Sequence, residues 1–218
     1  MAETVTLHGY RFSVYNRVAR MALHEKGTEY TRVEVNPFAP DVPASYRELH
    51  PFGKVPVLCH GKFTLFETCA ITRYIDAAFE GASLTPASPQ SVARMTQVIA
   101  IIDNYGYWPM VRQVFVHRVW LHGQGASEAE IAAGLRSAIQ VLDALEKIAS
   151  ETRVLDGAHF TLADCHLAPM FDYFMRADEG RDALSRYPAL SSWWRSVSLR
   201  RSFYETDPGL PSKSADPQ

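Results

Sequence analysis

Thr4 to His8 alternate between polar and apolar types and are rich in β-branched residues until Gly9 ends the run, which predicts a short strand and a loop. In the segment VYNRVARMALHEK, Val14, Val18, Met21 and Ala22 recur at helical spacing, with Ser13 as N-cap and Gly27 where a C-terminal stop belongs. TEYTRVEV then alternates like a second strand, and the right-handed crossover rule makes the two strands parallel neighbours. Pro37, Pro40, Pro43 and Pro51 leave room for at most a short helix around Ala44–Leu49 in a loop-rich crossover. Val55–Leu58 and Phe63–Phe66 read as strands joined by a His60-Gly61 turn, and Thr68–Phe79 as helix. The order β-α-β-α-β-β-α describes a small mixed sheet with helices packed on it.

Everything after that looks helical. Residues 1–80 form the expected first domain, and GASLTPASPQ at 81–90 has the small, polar, proline-containing composition of a linker. Residues 91–206 form the second domain, with helical patterns over roughly 92–120, 127–150, 161–175 and 191–198. The fold class is thus α/β followed by all-α, with a mobile polar tail at 207–218.

Charge excludes some partners. Lys and Arg total 22 against 24 Asp and Glu with no long runs of either sign, so nucleic acid is not expected. No window approaches the ~20 apolar residues of a membrane span, and the start MAETVTLHGY does not read as a secretory signal. A cytoplasmic protein without membrane partners is expected. Cys59, Cys69 and Cys165 are widely spaced and fit neither a disulfide framework nor a metal cluster, so no metal is expected.

Two segments suggest chemistry. In HPFGKVPVL, residues 50–58, a proline precedes a buried strand; if Val55-Pro56 is cis, the Val55 backbone is left to pair with an extended peptide ligand. An ordinary proline at a strand start is the competing reading. In FETCAITRYI, Glu67 and Thr68 fall at a strand-to-helix junction, where free N–H groups suit a carboxylate and Glu67 suits an ammonium group. A helix cap without a ligand explains that segment equally well.

HGYRFSVYNRVARMALHEKG, PFGKVPVL and FETCAITRYI, in that order and ahead of FTLADCHLAP, resemble the glutathione transferase family over essentially the whole chain. The resemblance is to cytosolic, serine-type and bacterial-like members. It implies a thioredoxin-like N-terminal domain that binds glutathione and a helical C-terminal domain that supplies the pocket for a small electrophilic, mostly apolar substrate. Glutathione is then a co-substrate, with no further cofactor. Carried across, the resemblance puts Ser13 beside the glutathione sulfur, Lys54 near the glycyl carboxylate with His50 assisting, Val55 ahead of Pro56 on the cysteinyl backbone, and Glu67 with Thr68 on the γ-glutamyl end. His50 stands where many relatives have asparagine, and Arg11 where serine-type relatives often have proline. The family also implies a homodimer, and Asp103 in IIDNYGY is a candidate to reach the partner chain's γ-glutamyl ammonium; a solvent-facing residue of an amphipathic helix is the alternative.

A serine suits the task because the thiolate is the nucleophile and a free thiol has a pKa of ~8.5. A hydroxyl donating to sulfur at a helix N-terminus lowers that pKa without itself ionising. Tyr10 and Tyr15 compete for the role, and Asn16 is either a second support for the thiolate or a solvated first-turn residue. The first cysteine is Cys59, too late for thiol-disulfide chemistry at the first helix. Candidates for the second-substrate pocket are Tyr10, Phe12, Tyr15, Tyr107, Val111, Phe115 and Phe171, each with core packing as its alternative. Thr161 and Asp164 form an expected capping box, and Trp193 with Trp194 reads as interdomain packing.

Overall fold

A computed structural model describes residues 3–40, 42–121 and 123–210. The chain divides into two compact units, one reaching to Leu84 and taking in Glu205–Pro208, the other running from Thr85 to Tyr204 and resuming at Gly209.

The first unit contains β1 (Val5–Gly9), α1 (Val14–Glu25), β2 (Thr31–Glu34), α2 (Ala44–Leu49), β3 (Val57–His60), β4 (Phe63–Phe66) and α3 (Thr68–Ala78). Its sheet has the order β2-β1-β3-β4. β1 runs parallel to β2, with Thr6 opposite Thr31, and antiparallel to β3, with Leu7 opposite Leu58. α1 packs against α3, and Val5 and Leu7 of β1, Val18, Met21 and Ala22 of α1, and Ile71 and Ile75 of α3 are all buried. The predicted periodicities therefore mark the core.

Three expectations change here. β3 begins at Val57 rather than Val55, because Pro56 has no N–H to offer the ladder and follows a cis peptide bond. Its turn into β4 is Gly61-Lys62, since His60 already pairs with Phe63, and Gly61 takes a positive φ of 55°. β2 is four residues rather than eight.

In the second unit, Ser88 caps α4 (Pro89–Ile101) by accepting from the Ser91 N–H at 3.1 Å. The helix continues in π form as π1 (Ile102–Gly106) and π2 (Trp108–Trp120), then come α5 (Glu128–Ala149), α6 (Leu162–Met175), α7 (Asp178–Leu184), α8 (Pro188–Val197) and α9 (Arg201–Glu205). The single helix expected at 92–120 thus changes its winding midway. Pro109 lacks an N–H, and in an α-helix its ring crowds the carbonyl four residues back. The i→i+5 bonds seen from Tyr107 N–H to Ile102 O and from Leu121 N–H to Val116 O flank that residue. α7 and α9 are too short to show a helical period and escape sequence reading.

The expected capping box is present: the Asp164 carboxylate accepts from the Thr161 N–H at 2.7 Å, and it accepts from the Thr161 hydroxyl as well, also at 2.7 Å. The Trp193 indole donates to the other oxygen of Asp164 at 2.6 Å, and its ring meets Phe171 at 5.4 Å. Trp193 is therefore a core residue of the helical unit. The expected linker also shrinks: Leu84 is buried and its N–H donates to Asp76 at 2.8 Å. Of the tail expected to be mobile, 211–218 lies outside the described residues, while Pro208 and Leu210 are buried.

Candidate active site

Ser13 is the N-cap of α1, with extended backbone (φ −78°, ψ 121°), and its Oγ accepts from the Asn16 N–H at 3.2 Å. That bond engages a lone pair and leaves the hydroxyl proton for another acceptor. The loop before it is tightly tied. The Tyr10 carbonyl accepts both the Ser13 N–H at 3.0 Å and the Asn16 side-chain amide at 3.1 Å. Asn16 is 3% exposed, so it is not a solvated first-turn residue. Its Oδ1 lies against Gly9, where an added Cβ would stand 2.1 Å away. Glycine is needed there for close approach, a signal that a strand-ending glycine hides.

Tyr10 packs edge-on against Phe12 at 5.6 Å and Phe38 at 6.1 Å. Burial, then the charge of Glu34, pushes the Tyr10 hydroxyl up, so it stays protonated at neutral pH. Tyr15 is half-buried in the first turn of α1.

The loop before β3 is held by a residue that sequence reading passed over. Tyr46 of α2 is buried, and its hydroxyl donates to the Lys54 carbonyl at 2.6 Å. The Lys54 side chain is exposed, and Val55 stands ahead of the ladder with its cis bond to Pro56. His50 is only 2% exposed, with its ring 4.8 Å from Phe66 and 6.0 Å from Phe52. Burial holds its pKa down, against the opposing pull of Glu67, so His50 is neutral rather than a cation for the glycyl carboxylate.

Glu67 is the N-cap of α3 with φ 70° and ψ 115°, a region that non-glycine residues rarely occupy. It makes no side-chain capping bond and is exposed, whereas Thr68, the first helical residue, is buried. Such strain clusters at ligand sites. The simple capping explanation loses ground, because Glu67 does not cap.

In the helical unit, Asp103 has its carboxylate 3.3 Å from Nδ1 of the fully buried His166, and its side chain keeps 24% exposure. It is thus paired as well as partly solvated. Val111 and Phe115 are buried, with Phe115 4.8 Å from the Tyr173 ring, and Phe171 is fully buried against Trp193. These three pocket candidates are core residues of the unit. Tyr107 is half-buried, with its hydroxyl pushed up by burial. Tyr107, Val111 and Phe115 are four residues apart, a spacing that lines up one face of an α-helix but not of π2. Among the described residues, no group of three or more His, Cys, Asp and Glu is placed to hold a metal, and no helix is long and apolar enough to cross a membrane.

Known proteins agree with this architecture. The family model described as glutathione S-transferase, N-terminal domain, matches residues 7–83, and the one for the C-terminal domain matches residues 128–195. Glutathione S-transferase F13 of Arabidopsis thaliana is 32% identical over 211 residues, covering 94% of this chain and 95% of the relative. Among solved structures, glutathione S-transferase III in apo form superposes with a TM-score of 0.82 at 27% identity, covering 99% of each chain. Glutathione transferase F7 from Populus trichocarpa does so with a TM-score of 0.81 at 26% identity, covering 93% of this chain and 97% of its own. With both family domains matched in chain order and a relative alike along nearly its full length, the chain belongs to the glutathione S-transferase family.

Proposed function

We propose that this glutathione transferase activates the glutathione thiol through Ser13 and directs the thiolate at a small electrophilic, mostly apolar substrate. The observation that carries the reading is the Ser13 cap: its oxygen takes the Asn16 N–H, and its proton is left to donate to sulfur at the positive end of α1. A donated hydrogen bond and the helix dipole both favour the anion, and each pKa unit of lowering corresponds to roughly 1.4 kcal/mol.

The remaining roles are those the family resemblance implies, and the backbone placement of these residues supports them. Val55, ahead of the β3 ladder, pairs with the cysteinyl backbone of glutathione beside Pro56. Glu67 takes the γ-glutamyl ammonium, while Thr68 and the first N–H groups of α3 take its α-carboxylate. Lys54 supplies charge to the glycyl carboxylate, and neutral His50 packs behind that loop. Tyr10 and Phe12 form an aromatic border to the Ser13 loop, with Tyr15 on the helix behind it and Tyr107 the remaining pocket candidate of the helical unit. The chemistry draws on glutathione as co-substrate and on no cofactor, in a cytoplasmic detoxifying role. The working form is a homodimer in which Asp103 strengthens the ammonium site of the partner chain.

A turnover assay with glutathione against aryl halides, epoxides, enals, isothiocyanates and hydroperoxides tests this reading. Conjugation of at least one electrophile is expected. Glutathione binding without turnover of any of them favours a non-catalytic scaffold, and isomerisation or dehalogenation alone reassigns the second step.

A further inference from the structure

The segment Glu205–Pro208, which returns to the first unit, is bonded by residues of the loop and helix that carry Ser13. Arg20 of α1 is buried and donates to the Thr206 carbonyl at 3.0 Å and the Glu205 carbonyl at 3.2 Å. His24, also on α1, lies 3.1 Å from the Glu205 carboxylate. Arg11, two residues before Ser13, donates from Nε to the Pro208 carbonyl at 2.7 Å. Its backbone N–H meanwhile donates to Glu34 at 2.7 Å, and its guanidinium lies over the Phe12 ring at 5.2 Å.

We propose that Arg11 is a positioning residue and that Glu205–Pro208 is a strap holding the Ser13 loop in its working geometry through the Arg11–Pro208 bond. The proposal rests on the Ser13 reading above. A proline at position 11 would supply a stiff backbone without a side-chain tether. Arginine leaves the loop more freedom and restores order by tying it to the strap, whose Glu205 and Thr206 carbonyls are already fixed from α1 by Arg20. Ser13 is thereby held from both sides, by Asn16 ahead and by Arg11 behind. A hydroxyl that must meet sulfur within hydrogen-bond reach is sensitive to small displacements of that loop.

Two lesions remove the same bond from opposite ends. Arg11→Met removes the donor, and ending the chain after Thr206 removes the Pro208 acceptor while sparing the Arg20 bonds; a chain ended after Leu210 is the control. Each lesion is expected to raise the thiol pKa of bound glutathione by about one unit and lower kcat roughly tenfold, with KM for glutathione changed by less than about twofold. The combined variant is expected to be no worse than either alone. Because the shortened chain keeps the Arg11 charge, agreement between the lesions identifies the tie rather than the charge. A wild-type thiol pKa and kcat in the shortened chain, or losses that multiply in the combined variant, overturn the proposal. Should the shortened chain fail to fold, amide exchange at Glu205, Thr206 and Asp207 in Arg11→Met decides: faster exchange supports the strap and unchanged exchange overturns it. Ser13→Ala in the full chain tests the underlying reading separately, since amide exchange reports on the strap whichever group activates the thiol.

Discussion

Ser13 and Asn16 hold each other: the Ser13 oxygen accepts the Asn16 backbone N–H at 3.2 Å, and the Asn16 side chain fixes the Tyr10 carbonyl, which also accepts the Ser13 N–H. Asn16→Ala deletes a part-buried side-chain bond and leaves the Tyr10 carbonyl one donor short. A loss of about 1–2 kcal/mol of stability is expected in a urea melt, together with a fall in kcat. Gly9→Ala should reproduce that defect from the other side by pushing Asn16 off β1. Full activity in both proteins would show that the loop needs neither residue.

Glu67 offers a test in which stability and function move apart. Its φ of 70° costs of order 1–3 kcal/mol for a non-glycine residue, whereas glycine adds roughly 0.5–1 kcal/mol of unfolded-state entropy. The strain term is the larger, so Glu67→Gly is expected to melt at the same or a higher temperature than the natural chain. Glutathione affinity should nevertheless fall at least about tenfold, the scale of one lost charge-assisted contact. Calorimetry for melting and titration for binding check both halves. A less stable variant with intact affinity would assign Glu67 to the fold alone.

The helices of the first unit and the Ser13 cap were legible because each rests on a local signal: Ser13 before an apolar period, Gly27 after it, and the proline-dense crossover containing Ala44–Leu49. The winding of π2 was not, since no local residue pattern distinguishes i→i+5 from i→i+4 bonding. Asn16, Tyr46 and Arg11 act through partners 6, 8 and 197 positions away, so what they bond is set by loop geometry or tertiary placement. His50 was expected to assist at the glycyl carboxylate, and its burial, which lowers its pKa, could not be read from a residue lying in a proline-dense loop.

In the helical unit, Gly134 of α5 lies against π2, and an added Cβ would meet the Pro109 carbonyl at 2.8 Å and the Gln113 Cβ at 2.7 Å. Backbone cannot yield cheaply. Gly134→Ala gains helix propensity of about 1 kcal/mol but overpacks the helix pair by about 1–3 kcal/mol. A net loss is expected in chemical denaturation, with an unchanged m-value. A stabilised variant would mean the two helices separate without cost.

Burial pushes the Asp164 carboxyl up to about 6 from its ordinary 3.8, against the opposing effect of the bonds from Trp193 and Thr161. Between those two values the folded chain keeps a proton that the unfolded chain has lost. The stabilisation linked to that proton is fully present below the lower value and is lost as pH rises through the upper one, with a slope of up to about 1.4 kcal/mol per pH unit. Asp164→Asn removes this titration while weakening the cap. The stability difference between the natural chain and the variant is therefore expected to shrink from about pH 4 to about pH 6. Parallel stability curves across that window would place the Asp164 titration elsewhere.

Ser13 activation of the thiol is tested most directly by titrating thiolate absorbance of bound glutathione in the natural chain, in Ser13→Ala and in Ser13→Thr. The natural complex is expected to ionise one or two units below the ~8.5 of a free thiol. Ser13→Ala should return the value close to that of free glutathione, with a loss of about 1 kcal/mol of stability from the missing cap. Ser13→Thr, which keeps a capping oxygen and a hydroxyl proton, should recover most of the lowering. An Ala variant that ionises at the same pH and turns over at the same rate as the natural chain would contradict the account and move the activating role to Tyr10.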